Sequence, residues 1–114
     1  MYDEEFECPI EAIVNVIGGK WKLPILYQLF QGTKRYGELK RLIPKATQRM
    51  LTLQLRELEA CQIVRRTVYL EVPPRVEYSL TELGLSLKPL LQTMLSWSEK
   101  CLPREVRQLN EVNR

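Results

Sequence analysis

The fold is decided by residues 36–61, YGELKRLIPKATQRMLTLQLRELEAC, in which two helical patterns are separated by a short turn. The first pattern, residues 36–43, predicts a helix that Pro44 ends, because proline cannot continue the hydrogen bonding of a helix. The second predicts a helix from the N-cap Thr47 to about Cys61. The residues expected to face the core are Leu39, Leu42 and Ile43 in the first helix and Leu51, Leu55 and Leu58 in the second. Two helices joined by the turn 44–46 predict a helix-turn-helix.

The outward face of the second helix is polar and cationic. At 100° per residue, the side opposite its three leucines carries Arg49, Thr52 and Arg56, with Gln48 in the first turn. Arginine pairs bidentately with guanine and glutamine with adenine, so these four residues are the candidates for reading bases in a major groove. Arg56 has an alternative partner in Glu59 or in an acid on a neighbouring helix.

The pattern changes from helical to alternating after Ile63. Every second position from 64 to 72 is apolar except Arg66, which predicts a strand, and residues 76–80 alternate again. Pro73-Pro74-Arg75 between them predicts a turn, which gives a two-stranded β-hairpin with Arg75 at a basic tip. A hairpin directly after a helix-turn-helix is a wing, which can lie along a sugar-phosphate backbone or enter a minor groove with an arginine.

A last long helix is predicted to begin at the N-cap Thr81. A seam with spacings of four, three, four, three and four runs through Leu83, Leu87, Leu90, Met94, Trp97 and Cys101. Leu91, Leu95 and Leu102 widen this seam, so we expect part of it to pack on a second subunit. The alternative is that the helix closes the core of its own chain. Pro89 predicts a kink rather than a break, because the seam stays in phase across it.

The chain before residue 36 supplies two further helices. Cys8-Pro9 opens a short first helix that ends at Gly18-Gly19, and an apolar, buried second helix begins near Leu23-Pro24 and ends at Gly32. Residues 32–35 have room only for a turn or a very short strand. The predicted fold is therefore α+β and mainly α, a winged helix-turn-helix with a two-stranded wing and a long C-terminal dimerisation helix. The predicted domain covers residues 8–102, between an acidic arm (1–7) and a polar tail (103–114).

Length and composition predict one soluble domain, with 114 residues of which 45% are apolar and 27% charged. No apolar run approaches the roughly 18 residues of a membrane span, and the start is acidic where a signal peptide is basic, so we expect a cytoplasmic protein. The absence of histidine removes the usual zinc sites, Ser-His-Asp triads and Cys-His pairs. The five glycines form neither a Walker loop nor a dinucleotide fingerprint. We therefore expect no enzyme, metal or cofactor.

Charge is segregated along the chain. From Lys20 to Arg75 twelve basic residues face four acidic ones, a local net charge of +8, so the remainder carries −5 of the total of +3. A basic middle between acidic or neutral ends is the footprint expected of a surface that meets phosphate. The alternative is a set of ordinary solvated side chains.

Five blocks in the same order resemble the HxlR-type winged-helix transcriptional regulators of bacteria, relatives of the MarR group. They are CPIE (8–11), IGGKW (17–21), YGEL (36–39), MLTLQLRELE (50–59) and PPRVEYSLT (73–81). The resemblance implies a homodimer joined by its N- and C-terminal helices. It also implies that two recognition helices read an inverted repeat in double-stranded DNA, usually to repress transcription and sometimes to activate it. Neither an enzymatic activity nor a cofactor is implied.

One departure from this family lies at Cys61-Gln62, where its members commonly have an acidic residue and glycine. A left-handed helix terminus at Gln62 costs roughly 1 kcal/mol relative to glycine. The shape of the turn into the wing, and with it the placement of the wing, can therefore differ from that in the family.

Three groups of residues complete the predicted site. Those expected to neutralise phosphates without reading sequence are Lys34, Arg35, Lys40, Lys45 and Arg65. Those expected at the dimer interface are Ile10, Ile13, Leu87, Leu90, Met94, Trp97 and Cys101. Arg75 is the expected wing contact. For each cation taken alone, a solvated surface charge is the alternative.

The three cysteines have no C-x-x-C spacing and are expected to be reduced thiols. Cys8 stands at the start of the first helix, and the resemblance implies a redox or electrophile sensor there, whereas the nearby acids favour an inert thiol. Cys101 is expected at the dimer seam, in a position to form an intersubunit disulfide with Cys8, and Cys61 is expected to pack at a helix end. An oxidant or a small molecule is the expected inducer.

Two other functions compete with this interpretation. A thiol-based enzyme has only Cys8 to support it and no histidine base. A dimeric winged-helix interaction module without specific DNA binding shares the fold but does not explain the basic middle of the chain.

Overall fold

The structure, a computed structural model, describes residues 8–107. The predicted acidic arm, residues 1–7, and the last seven residues of the predicted tail, 108–114, lie outside the described residues. In chain order the elements are α1 (Pro9–Ile17), α2 (Lys22–Phe30), β1 (Lys34–Arg35), α3 (Tyr36–Leu42), α4 (Gln48–Ala60), β2 (Val64–Tyr69), β3 (Arg75–Leu80), α5 (Glu82–Leu85) and α6 (Lys88–Cys101). Across the described part, no helix is both long and apolar enough to cross a membrane.

The architecture is mainly helical with a small antiparallel sheet, which confirms the predicted winged helix-turn-helix. Helices α3 and α4 form the helix-turn-helix, and β2 and β3 form the wing hairpin. The wing has a third strand that the prediction lacked, because the two-residue β1 pairs with β3 and gives the strand order β1-β3-β2. The very short strand expected before α3 is thus part of the sheet.

Apolar side chains from the first four helices and the sheet meet in one core. Its buried members are Ile17, Ile25, Leu26, Leu29, Leu39, Ile43, Ala46, Leu51, Leu55, Leu58, Ile63, Val64, Tyr78 and Leu80. The three leucines predicted on the inward face of α4 are all fully buried. Thr47 is confirmed as the N-cap of α4, since the backbone N–H of Met50 donates to its Oγ1 at 3.1 Å.

Leu42 is not buried, contrary to the prediction, and 47% of its surface is exposed. Helix α3 has only seven residues and buries a narrow face that carries Leu39 and, just beyond the helix, Ile43. Pro44 forces the chain to turn directly after the helix, so Ile43 is buried beside Leu39 while Leu42 is left exposed. Leu42 lines an open groove between α2 and α6 instead.

The turn between α4 and β2 keeps a left-handed residue although glutamine stands there, so it does not take the different shape that the sequence left open. Gln62 has φ = 63° and follows the C-cap Cys61. Its N–H donates to the carbonyl of Glu59 at 3.0 Å, and the N–H of Ile63 donates to the carbonyl of Leu58 at 3.0 Å. These two bonds and the burial of Ile63 and Leu58 form a Schellman motif, which ends α4 and aims the chain into the wing.

Strand β2 ends earlier than the alternating pattern suggests. It stops at Tyr69, which pairs with Arg75, and Leu70 and Val72 beyond it are 98% and 101% exposed. This part of the hairpin extends beyond the core, so the apolar side chains that continue the alternation to Val72 are left exposed.

The predicted kink at Pro89 is wrong, because the C-terminal segment is divided into two helices. Helix α5 ends at Leu85, and α6 begins at Lys88 with the proline in its first turn, where a missing N–H is tolerated. Ser86 and Leu87 between them keep right-handed helical angles, which explains why the apolar spacing stays in phase across the break.

Candidate nucleic-acid interface

The outer face of α4 is available to a partner. Gln48, Arg49 and Arg56 are exposed and Thr52 is half-buried. Within residues 8–107 none of these four side chains takes part in an ion pair or a side-chain hydrogen bond, so the alternative pairing of Arg56 with Glu59 does not form. The face therefore presents donors and acceptors with no partner inside the described chain.

Two polar contacts that sequence reasoning missed hold α4 in place. The ammonium of Lys22, at the start of α2, lies 2.9 Å from Glu57 Oε2 in the second half of α4. The hydroxyl of Tyr36, at the start of α3, donates to the carbonyl oxygen of Gln48 at 3.2 Å. The sequence counts Lys22 among the surface cations, and no local signal shows that it is buried, since that depends on how α2 packs on α4.

The predicted phosphate contacts lie on β1, α3 and β2 and in the turn before α4. Arg35, Lys45 and Arg65 are exposed, whereas Lys34 and Lys40 are half-buried. The last two donate to nearby backbone carbonyls, of Gly32 at 3.5 Å and of Pro44 at 3.3 Å.

The register of the sheet brings only some of these cations together. Arg35 is paired with Glu77, and Arg65 with Ser79, two residues further along β3. Paired residues and alternate residues share a face, so Arg35 and Arg65 lie on the same face of the sheet. Lys34 pairs with Tyr78 and lies on the opposite face.

Arg75 is not at the tip of the wing, contrary to the prediction. It is the first residue of β3, and its guanidinium lies 4.0 Å from the centre of the Tyr69 ring. Its NH1 donates to Glu77 at 3.3 Å, and its buried Nε lies 3.2 Å from Glu71 without hydrogen-bond geometry. One cation between two carboxylates makes this cluster net negative, so the predicted basic tip is wrong.

The residues predicted at a dimer interface are mostly unpacked in the single chain. Ile10 and Ile13 of α1 and Leu90, Met94 and Trp97 of α6 are all exposed, and α6 has no buried residue. Leu87 differs, because it is half-buried and packs against the chain's own core.

The cysteines occupy three different settings. Cys8 is the exposed N-cap of α1, and Cys101 is the exposed last residue of α6. Cys61 is half-buried at the C-cap of α4 and packs against the core, as predicted for a helix-end residue.

Comparison with known proteins agrees with this geometry. The HxlR-like helix-turn-helix family profile matches residues 16–106. The HTH-type transcriptional regulator YdeP of Bacillus subtilis (strain 168) is 55% identical over 98 residues, which cover 85% of this chain and 77% of YdeP.

Solved structures give the same result. The redox regulator HypR in its oxidised form superposes with a TM-score of 0.78 at 54% identity, over 84% of this chain and 99% of that one. A MarR-family transcriptional regulator from Enterococcus faecalis V583 superposes with a TM-score of 0.76 at 45% identity, over 86% and 89% of the two chains. The family profile and these relatives show that the chain belongs to the HxlR-like helix-turn-helix family of DNA-binding transcriptional regulators.

Proposed function

We propose that the chain is a sequence-specific repressor that binds an inverted-repeat operator as a homodimer, with α4 in the major groove. The observation that carries this proposal is the exposed face of α4, on which Gln48, Arg49 and Arg56 have no ion-pair partner among the described residues. Polar side chains at the start of a recognition helix are the groups that reach base edges in a helix-turn-helix complex.

The cations around α4 set its register on the duplex. Lys45, in the turn before the helix, and Arg35 and Arg65, on the outer strands of the wing, neutralise phosphates in this arrangement. Lys40 joins them by exchanging a backbone carbonyl for a phosphate oxygen, whereas Lys34 lies on the opposite face of the sheet from Arg35 and Arg65 and has a smaller share. Arg75 reaches the duplex only if it leaves Glu71 and Glu77, so we assign it the smallest share of the phosphate contacts.

Exposed apolar side chains support the homodimer. Leu90, Met94 and Trp97 of α6 and Ile10 and Ile13 of α1 leave a large apolar surface uncovered in a single small domain, and such surfaces mark association sites. A second copy that covers them through α1 and α6 places two recognition helices about one DNA turn, ~34 Å, apart.

The proposal is tested with a duplex that the protein itself selects from a random-sequence library. Arg49→Ala should lower the affinity for this duplex by about 1–3 kcal/mol and relax preference at one base position. Lys45→Ala should weaken binding to all sequences alike and reduce the slope of log affinity against log salt by about one. Lys100→Ala, an exposed cation near the end of α6, is the matched control and should change neither.

Three results would contradict the proposal. They are unchanged binding by Arg49→Ala, footprinting of a single asymmetric half-site by a monomer, or affinity that does not fall with salt. The last of these would favour a dimeric winged-helix interaction module without specific DNA binding. Repression is checked by transcription in vitro from a promoter that overlaps the selected site, which should fall as protein is added.

The proposal includes a redox response through Cys8. Cys8 and Cys101 are exposed at the ends of the two helices proposed to join the dimer. A two-electron oxidant that removes two electrons and two protons would link Cys8 to the partner's Cys101 and change how the recognition helices are set. HypR, a similar protein, is a redox regulator. Mass spectrometry after mild oxidation should find modified Cys8, and Cys8→Ser should abolish DNA release; release with unmodified Cys8 contradicts this part.

A further inference from the structure

Lys22 and Glu57 form an ion pair in an unusual place for a lysine. The Lys22 side chain is 8% exposed and the Glu57 side chain 45%, and Lys22 is the one buried charged residue within the described chain. Taking an ammonium out of water is unfavourable, and apolar side chains of similar volume are often at least as stabilising as a buried ion pair. Stability alone therefore does not account for this pair.

The pair lies on the flank of α4. Glu57 follows Arg56, on the outer face, and precedes Leu58, which is fully buried, so 100° steps place its side chain between the two faces. The leucines of the inward face hold α4 by apolar packing, which is not directional. The ion pair on the flank, with the ammonium nitrogen 2.9 Å from the carboxylate oxygen, lengthens when α4 rotates about its axis and therefore resists that rotation.

A hydrogen bond holds the other end of α4. The hydroxyl of Tyr36 donates to the carbonyl of Gln48, the first residue of the helix. Glu57 is nine positions after Gln48, so the two contacts are about 14 Å apart along the axis. They fix the helix at both ends, one against α3 and the other against α2.

We propose that the Lys22–Glu57 pair is a positioning pair that sets the roll of α4 and thereby the aim of its base-reading side chains. This inference rests on the proposed function, because it requires α4 to lie in a major groove. The outer surface of a helix is about 5–6 Å from its axis, so a 10° roll moves the reading atoms by about 1 Å. Bidentate contacts tolerate about 0.5 Å.

The test uses a substitution for which electrostatics and the positioning role predict changes of opposite sign in DNA affinity. Glu57→Gln removes a negative charge near the duplex, so electrostatics alone predicts tighter binding. The positioning role predicts about tenfold weaker binding to the selected duplex, which is the loss of one bidentate base contact, with unchanged or slightly tighter binding to a scrambled duplex and an unchanged salt slope. Glu59→Gln removes an exposed acid two residues away and is the matched control; it should not weaken binding to either duplex.

A second variant separates positioning from stability. The double variant Lys22→Met, Glu57→Leu replaces the pair by apolar side chains and should be at least as resistant to urea as the parent. Its ratio of affinities for selected and scrambled duplex should still fall about tenfold. All affinities are measured by fluorescence anisotropy at a temperature where circular dichroism shows every variant folded.

The outcomes are decisive in each direction. A parental affinity ratio in the double variant, or a Glu57→Gln variant that behaves like Glu59→Gln, overturns the positioning role. An Arg49→Ala variant measured in parallel distinguishes this from failure of the proposed function. If Arg49→Ala weakens binding and the pair variants do not, only the positioning role fails; if Arg49→Ala also has no effect, α4 does not read bases.

Discussion

Replacing Gln62 by glycine should stabilise the protein, although it removes a whole side chain. Gln62 has φ = 63°, in the left-handed region where a Cβ clashes with its own backbone. The conformation is enforced by the Schellman motif on one side and by Thr81 on the other, whose hydroxyl donates to the carbonyl of Gln62 at 2.6 Å. The Gln62 side chain is exposed, so its removal leaves no cavity.

The magnitude follows from two opposing terms. Relief of the left-handed strain contributes about 1–2 kcal/mol. Glycine gives the unfolded chain more conformational freedom, which costs about 0.5–1 kcal/mol. The net gain in the free energy of unfolding is therefore about 0.5–1 kcal/mol, which corresponds to a rise in Tm of about 2–8 °C for a domain of this size.

Urea denaturation and thermal melting, at one protein concentration for all variants, measure the effect. Two controls fix its interpretation. Gln62→Ala keeps the Cβ and should not stabilise, whereas Gln54→Gly, within α4, should destabilise by about 1 kcal/mol. A Gln62→Gly variant that is no more stable than the parent, or a Gln62→Ala variant that gains as much, would refute the strain argument.

Three further predictions concern the docking of α5, the wing and the dimer. Gly84→Ala should destabilise by about 1–3 kcal/mol in urea denaturation, because a Cβ on Gly84 overlaps the backbone carbonyl of Ile63; an unchanged midpoint would show that α5 docks elsewhere. Arg75→Ala should speed hydrogen exchange in β2 and β3 while changing the salt slope of DNA binding much less than Lys45→Ala does, and an equal change in slope would make Arg75 a full phosphate contact. Trp97→Ala should weaken dimerisation by about 2 kcal/mol or more in sedimentation equilibrium while the circular dichroism spectrum is unchanged, and an unaltered dimer would place the interface away from α6.

The places where prediction and structure differ have more than one cause. Lys22 meets a partner from a segment distant in sequence, and the exposure of Leu42 depends on how α3 packs, whereas the partners of Arg75 lie within six residues of it and are brought together by the register of the hairpin. The pattern of α3 does not show that only a narrow face meets α2. The turn chemistry at Pro73-Pro74 does not show that two carboxylates and a tyrosine ring enclose the arginine that follows.

The sequence by itself determined the helix-turn-helix, the buried leucines of α4 and the N-cap at Thr47, because periodicity and capping depend on neighbouring residues. Only the tertiary structure decided which charges are paired. Lys22 and Glu57 are 35 positions apart, and whether such a pair meets depends on the packing of α2 against α4. The cationic face of α4 can thus be predicted from sequence, whereas the Lys22–Glu57 contact on its flank cannot.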